Sequence, residues 1–144
     1  MFCFDTDVLS AALRRNPPLA VIRRLAVIPA SCQFTTAITY GELLFGAAKR
    51  GSPSLADRVR GLLAHAVTIL PFDNAAAERY GSLRAALESE GKPLDEPDLR
   101  IAAIALSRSL ILVTGNVRHF DRVDGLDIQN WLDPESPSSG QTLQ

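Results

Sequence analysis

The sequence predicts an α/β fold: a mainly parallel β-sheet flanked by helices on both faces. Short apolar or β-branched runs alternate along the chain with segments of helical periodicity, as in βαβ units with right-handed crossovers. The prolines fall at the joints of this pattern, at Pro17-Pro18, Pro29, Pro53, Pro71, Pro93 and Pro97, where an interior helical proline would be costly. Leu110–Thr114 is almost wholly apolar, which marks a strand covered on both faces.

The elements follow in order. Phe2–Phe4 reads as a strand that ends in Asp5-Thr6-Asp7, and Val8, Leu9, Ala12 and Leu13 carry a helix with Asp5 or Thr6 as its N-cap. Asn16-Pro17-Pro18 stops this helix and starts another, which runs through Leu19, Ile22, Arg23 and Ala26 to Pro29. Gln33–Thr36 is the second strand, followed by a helix from Ala37 to Arg50 that closes at Gly51-Ser52-Pro53. Leu55 to Ala64 is helical, and Val67–Leu70 is a β-branched strand ended by Pro71. Asp73 caps a long helix that ends near Gly91-Lys92-Pro93, and Glu96-Pro97-Asp98 opens the next. Leu110–Thr114 and Leu126–Gln129 complete the strands. These elements make one domain over residues 1–133. Residues 134–144, rich in Ser, Pro, Gly and Gln without periodicity, are predicted to be a flexible tail.

Composition narrows the class. The chain has 144 residues, 47% hydrophobic and 22% charged, enough for one self-sufficient core. No apolar run approaches the ~20 residues that cross a bilayer. Met-Phe-Cys-Phe-Asp has neither the basic nor the apolar region of a signal peptide, so a soluble cytoplasmic protein is expected. Cys3 and Cys32, both in strand-like stretches, are then expected as reduced thiols. Net charge is −1, yet residues 1–60 hold eight basic side chains against four acidic, and residues 61–144 hold seven against twelve. A basic half beside an acidic half suits a phosphate-bearing partner.

In parallel sheets, functional groups gather beyond the carboxyl ends of the strands. Asp5 follows the first strand and Asn116 follows the apolar strand, while Asp98 opens the helix leading into that strand. Glu42 lies inside the helix after the second strand, with Ile38 and Phe45 at i−4 and i+3 and Tyr40, Leu43, Leu44 and Ala47 around the rest. A carboxylate on so apolar a helix, with no Lys or Arg at i±3 or i±4, is expected to be partly buried and to need a cation or a proton. Asp, Glu and Asn are hard oxygen donors suited to Mg²⁺ or Mn²⁺. Such an ion can activate water for phosphodiester hydrolysis, with Thr6 or Thr114 orienting a ligand or the water.

This ordered set resembles the PIN-domain ribonucleases, and within them the VapC toxins of bacterial toxin–antitoxin pairs. Asp5-Thr6-Asp7-Val8-Leu9 is similar to the family's opening Asp-Thr-Asn-Val-Leu, and Glu42-Leu43-Leu44-Phe45-Gly46 to its Glu-Leu-x-x-Gly. Asp98-Leu99-Arg100-Ile101-Ala102-Ala103 resembles its Asp-x-x-Ile-Ala-Ala. Val113-Thr114-Gly115-Asn116 and Arg118-His119-Phe120 resemble its closing strand, and Leu126 to Trp131 its last strand. The resemblance implies a PIN-like fold with Asp5, Glu42 and Asp98 as metal ligands and Asn116 at the fourth site position. It also implies an Mg²⁺- or Mn²⁺-dependent endoribonuclease, a homodimer and a VapB-type antitoxin. Two residues depart from the pattern: Asp7 stands where Asn is commoner, and Asn116 where many members have Asp. Together they shift negative charge within the site. Arg14, Arg15, Lys49 and Arg50 flank the helices that carry the acidic residues and are the predicted RNA contacts.

Rival chemistries lack their residues. A haloacid-dehalogenase-type phosphatase would use Asp5 and Asp7, but Leu9 stands where its pattern wants Thr or Val. Its Lys, like that of a phospho-receiver domain, has no counterpart, since Lys49 and Lys92 are far from a late strand end. A catalytically silent binding module that acts through the antitoxin is the alternative of a different class. No P-loop, zinc-spaced Cys/His cluster or nucleophile triad is present. The aromatic residues read as core, with no stacking platform among them.

Overall fold

A computed structural model describes residues 1–133; the tail predicted over 134–144 lies outside the described residues. The strands are β1 (Phe2–Phe4), β2 (Gln33–Thr36), β3 (Thr68–Leu70), β4 (Ile111–Val113) and β5 (Ile128–Gln129). The helices are α1 (Thr6–Ala12), α2 (Leu19–Val27), α3 (Ala37–Lys49), α4 (Pro53–His65), α5 (Asn74–Ser89), α6 (Glu96–Ser107) and α7 (Val117–Phe120). All strand pairs are parallel, in the order β3-β2-β1-β4-β5. The chain therefore winds outward from β1 on one side, then crosses back to place β4 on the other. This reversal makes the carboxyl ends of β1 and β4 the topological switch point, the usual place for a ligand in an open α/β sheet.

Two apolar layers hold the sheet. One face packs Cys3 and Leu112 against Leu87 of α5 and Ile101, Ala102 and Ala105 of α6. The other packs Phe4 and Val113 against Val8 of α1, Val21 of α2 and Val59 and Leu63 of α4. Alternation along β1 and β4 sends neighbouring side chains to opposite layers, and the helices lie on both faces as the pattern predicts. Asp5, not Thr6, occupies the N-cap of α1.

Local details depart from the sequence reading. Gly51-Ser52-Pro53 does more than end α3: Ser52 caps α4 by accepting the Leu55 N–H at 3.2 Å, so α4 starts at Pro53. Cys32 lies in a 3₁₀ turn ahead of β2 rather than in a strand. Both cysteines are free thiols, and burial pushes the Cys3 thiol up to about 12. Helix α7 carries no signal in the sequence, because one turn is too short to show a period. Phe45, assigned to the core by composition, is 67% exposed, and Phe72 is also exposed. No helix of the described residues is long and apolar enough to cross a membrane.

Candidate active site

The end of β1 delivers the most buried carboxylate of the described chain. Asp5 is 3% exposed. One of its oxygens accepts the Thr6 N–H at 2.7 Å, and the other accepts the Thr114 hydroxyl at 2.8 Å. That second bond ties the end of β1 to the end of β4. Burial, then the nearby Asp7 carboxylate, raises the Asp5 pKa from 3.8 to about 6, against the lowering effect of the two hydrogen bonds. Asp98 adds a smaller upward push.

Asp7 crosses the same gap. Its Oδ2 accepts the Gly115 N–H at 2.7 Å, while its Oδ1 is buried with no hydrogen-bond partner among the described residues. Burial foremost raises its pKa, and Asp98 contributes in the same direction. Gly115 has no spare room: a Cβ there would stand 2.6 Å from Asp7 Oδ2 and 2.8 Å from Leu132 Cδ1. The glycine is needed for close approach rather than for an unusual backbone angle.

Glu42 reaches this end of the sheet from the second turn of α3. It is partly buried, and Thr6 donates its hydroxyl to Glu42 Oε1 at 2.8 Å. Thr39 stands beside the pair, 3.4 Å from the Thr6 hydroxyl. Asp98 occupies the first turn of α6, where the helix N-terminus favours negative charge. Its Oδ2 lies 3.1 Å from His119 Nδ1. Asn116 is exposed and stands at the start of α7 without a side-chain capping bond; its backbone N–H donates to the Thr114 hydroxyl at 3.0 Å. Thr114 therefore links Asp5 to the Asn116 backbone.

The fold thus gathers Asp5, Thr6 and Thr114 into one hydrogen-bonded network that extends to Glu42, with Asp7 anchored beside it on the Gly115 N–H. Asp98 is close enough to Asp5 and Asp7 to disfavour their charge. No Lys, Arg or His among the described residues pairs with Asp5, Asp7 or Glu42. The carboxylates do not close into a cage: no three His, Cys, Asp or Glu side chains among the described residues are grouped to hold an ion. Each carboxylate is held by its own hydrogen-bond donor. The donor set nevertheless suits a hard divalent ion, being all oxygen, crowded with like charge, and left with a buried, unpartnered Asp7 oxygen.

Positive charge lies next to this acidic pole. A cleft of about 640 Å³ between α1, α3 and α4 has Thr6 and Glu42 in its wall together with Arg14, Arg15, Arg50 and Arg58. None of these arginines forms an ion pair among the described residues, and Arg58 donates to the Leu13 carbonyl at the end of α1. Lys49, named with Arg14, Arg15 and Arg50 from sequence, is exposed and does not line the cleft. Arg58 and His119 are the residues that sequence reasoning does not assign to the site. Arg58 follows only from the α3–α4 packing, and His119 only from the docking of α7 on α6.

Comparison with known proteins places the chain in a family and beside solved structures of the same fold. Residues 2–126 match the PIN domain family. The chain is 33% identical over 130 residues to the tRNA(fMet)-specific endonuclease VapC of Shigella flexneri, covering 90% of this chain and 97% of that one. It is 34% identical over 131 residues to ribonuclease VapC2 of Haemophilus influenzae, covering 91% and 98%. Among solved structures, it is similar to VapBC-1 from nontypeable Haemophilus influenzae, with a TM-score of 0.81, 29% identity and coverage of 92% and 98%. It is also similar to DNA-bound VapBC from Salmonella typhimurium, with a TM-score of 0.78, 31% identity and coverage of 90% and 97%.

Proposed function

The chain belongs to the PIN-domain family, and from that premise we propose that the acidic pole beyond β1 and β4 is its metal-dependent RNA-cleaving site. The protein is an endoribonuclease toxin of a toxin–antitoxin pair, of the VapC kind, with a VapB-type antitoxin as partner. The observation that carries the site assignment is the buried Asp5, without an ion-pair partner among the described residues and joined through Thr6 to Glu42. Burying such charge is costly, and functional sites are where proteins tolerate it.

In this reading Asp5, Glu42 and Asp98 hold Mg²⁺ or Mn²⁺, with Asp7 adding charge nearby and Asn116 at the rim. What the bound ion supplies is Lewis acidity toward the scissile phosphate and toward the attacking water. The chain's own residues supply placement. Thr114 holds Asp5 and Thr6 holds Glu42, so both carboxylates are oriented before substrate arrives. Arg14, Arg15, Arg50 and Arg58 bind RNA phosphates along the cleft that ends at Glu42, and Lys49 contributes from outside it. Such contacts position RNA without reading its bases. A homodimer, a cytoplasmic location and a tail over residues 134–144 complete the proposal.

The test is cleavage of a cellular RNA pool that includes tRNA(fMet), the target named for the Shigella flexneri relative. Antitoxin-free protein is assayed with Mg²⁺ or Mn²⁺, with a chelator, and as a folded Asp98→Asn variant. Discrete cuts that require both metal and Asp98 support the reading. Absence of cutting across varied RNAs by the metal-loaded protein would favour a silent module that acts through its antitoxin.

A further inference from the structure

We propose that His119 is the positioning residue for Asp98, its Nδ1–H holding one carboxylate oxygen so that the other is presented to the cation. This rests on the metal-site reading above and adds a residue to it. Asp5, Asp7 and Glu42 are each restrained by a main-chain amide or a threonine hydroxyl. Asp98 has no such donor: the His119 ring is its side chain's one hydrogen-bond partner among the described residues. A carboxylate that holds a cation is ionised and only accepts, so in the proposed site the 3.1 Å contact is made by the Nδ1–H tautomer.

The fold explains how the ring comes to be there. A single turn such as α7 cannot stand on its own hydrogen bonds. It is pinned by Phe120, fully buried in the same apolar layer as Ile101, Ala102 and Ala105 of α6. The preceding residue therefore faces out of that layer, and His119 is half exposed beside the start of α6. The main-chain N–H of His119 donates to the Asn116 carbonyl at 3.0 Å. His119 thus couples Asp98 on α6, through its ring, to the turn that carries Asn116, through its main chain, two parts of the acidic pole supplied by separate elements. Hydrogen-bond partners of metal ligands tune affinity by orienting the ligand, and their loss costs about 10–100-fold. Because this bond is half exposed, the lower end applies.

The experiment compares His119→Ala, His119→Asn and Asp98→Asn with the wild type. Mn²⁺ affinity is read from the electron paramagnetic resonance of free Mn²⁺, and folding from thermal unfolding in chelator. The amide nitrogen of Asn can replace Nδ1 as donor. His119→Ala is expected to weaken Mn²⁺ binding about tenfold with an unchanged melting temperature, and His119→Asn to bind close to wild type. Cleavage should follow Mn²⁺ occupancy, with KM for RNA unaltered. Wild-type Mn²⁺ affinity in His119→Ala, or equal losses in the Ala and Asn variants, would overturn the assignment. If Asp98→Asn also binds Mn²⁺ normally, the metal-site reading itself fails; if only the His119 variants do, the failure is confined to His119.

Discussion

Replacing Asp5 by Asn should make the metal-free protein more stable at neutral pH while abolishing its chemistry. Asp5 is 3% exposed, and its pKa is raised from 3.8 to about 6, first by burial and then by Asp7. A raised acid pKa means that the folded state holds its proton more tightly than the unfolded chain. The stabilisation is therefore complete below about pH 4 and is lost as pH climbs through about 6. Above that, the charged carboxylate costs the fold on the order of 3 kcal/mol. Asn carries no charge and keeps one carbonyl oxygen for the Thr6 N–H, but its amide cannot accept the Thr114 hydroxyl, a loss of about 1 kcal/mol. The net gain is about 1–2 kcal/mol, or a rise in melting temperature of roughly 3–8 °C. Thermal unfolding in chelator at pH 4 and at pH 7.5 gives the reading. Wild type should fall relative to Asp5→Asn between the two, and the variant should melt higher at pH 7.5. An Asn variant that melts lower at pH 7.5, with the same pH dependence as wild type, would refute the view of Asp5 as a charge held at a cost.

Other perturbations separate the parts of the site. Thr6→Val removes the 2.8 Å bond to Glu42 with little change of shape; kcat should drop about tenfold, as expected for losing a hydrogen bond to a charged group, with the melting temperature nearly unchanged. Gly115→Ala drives a methyl into Asp7 and Leu132; denaturant unfolding should show a loss of about 1–3 kcal/mol, and the Asp7 displacement should weaken divalent-ion binding as well. Gln at Arg14, Arg50 or Arg58 should weaken RNA binding across sequences and lower the salt dependence of log K by about one for each phosphate no longer neutralised. An unchanged salt slope in all three would take the cleft out of the RNA path.

The β-strands and long helices are legible in the sequence because most changes of hydrophobic period coincide with a proline, a glycine or a capping side chain; the α4–β3 and α6–β4 joints, with Ala66 and Arg108 at the helix ends, carry none. Ser52 and Asp73 show this at α4 and α5. The acidic residues are legible by position, since the rule about strand carboxyl ends points to Asp5 and Asn116 once the strands are placed. Their partners are not. Thr6 meets Glu42 across 36 positions, Thr114 meets Asp5 across 109, and His119 meets Asp98 across 21. No local period encodes such pairs. The partial burial of Glu42 follows in sequence from an α3 apolar almost all round, yet Phe45 on that helix is largely exposed. What surrounds Glu42 is the α1 N-terminus and the arginine-lined cleft, which exist only after α1, α3 and α4 have packed.

The most direct test of the central claim is calorimetric titration of Mn²⁺ into antitoxin-free wild type, Asp5→Asn and Glu42→Gln, each shown to be folded. The account predicts saturable binding by wild type that is lost or severely weakened in both variants. Equal Mn²⁺ affinity in all three would contradict it, because the carboxylates beyond β1 and β4 would then not be what holds the ion.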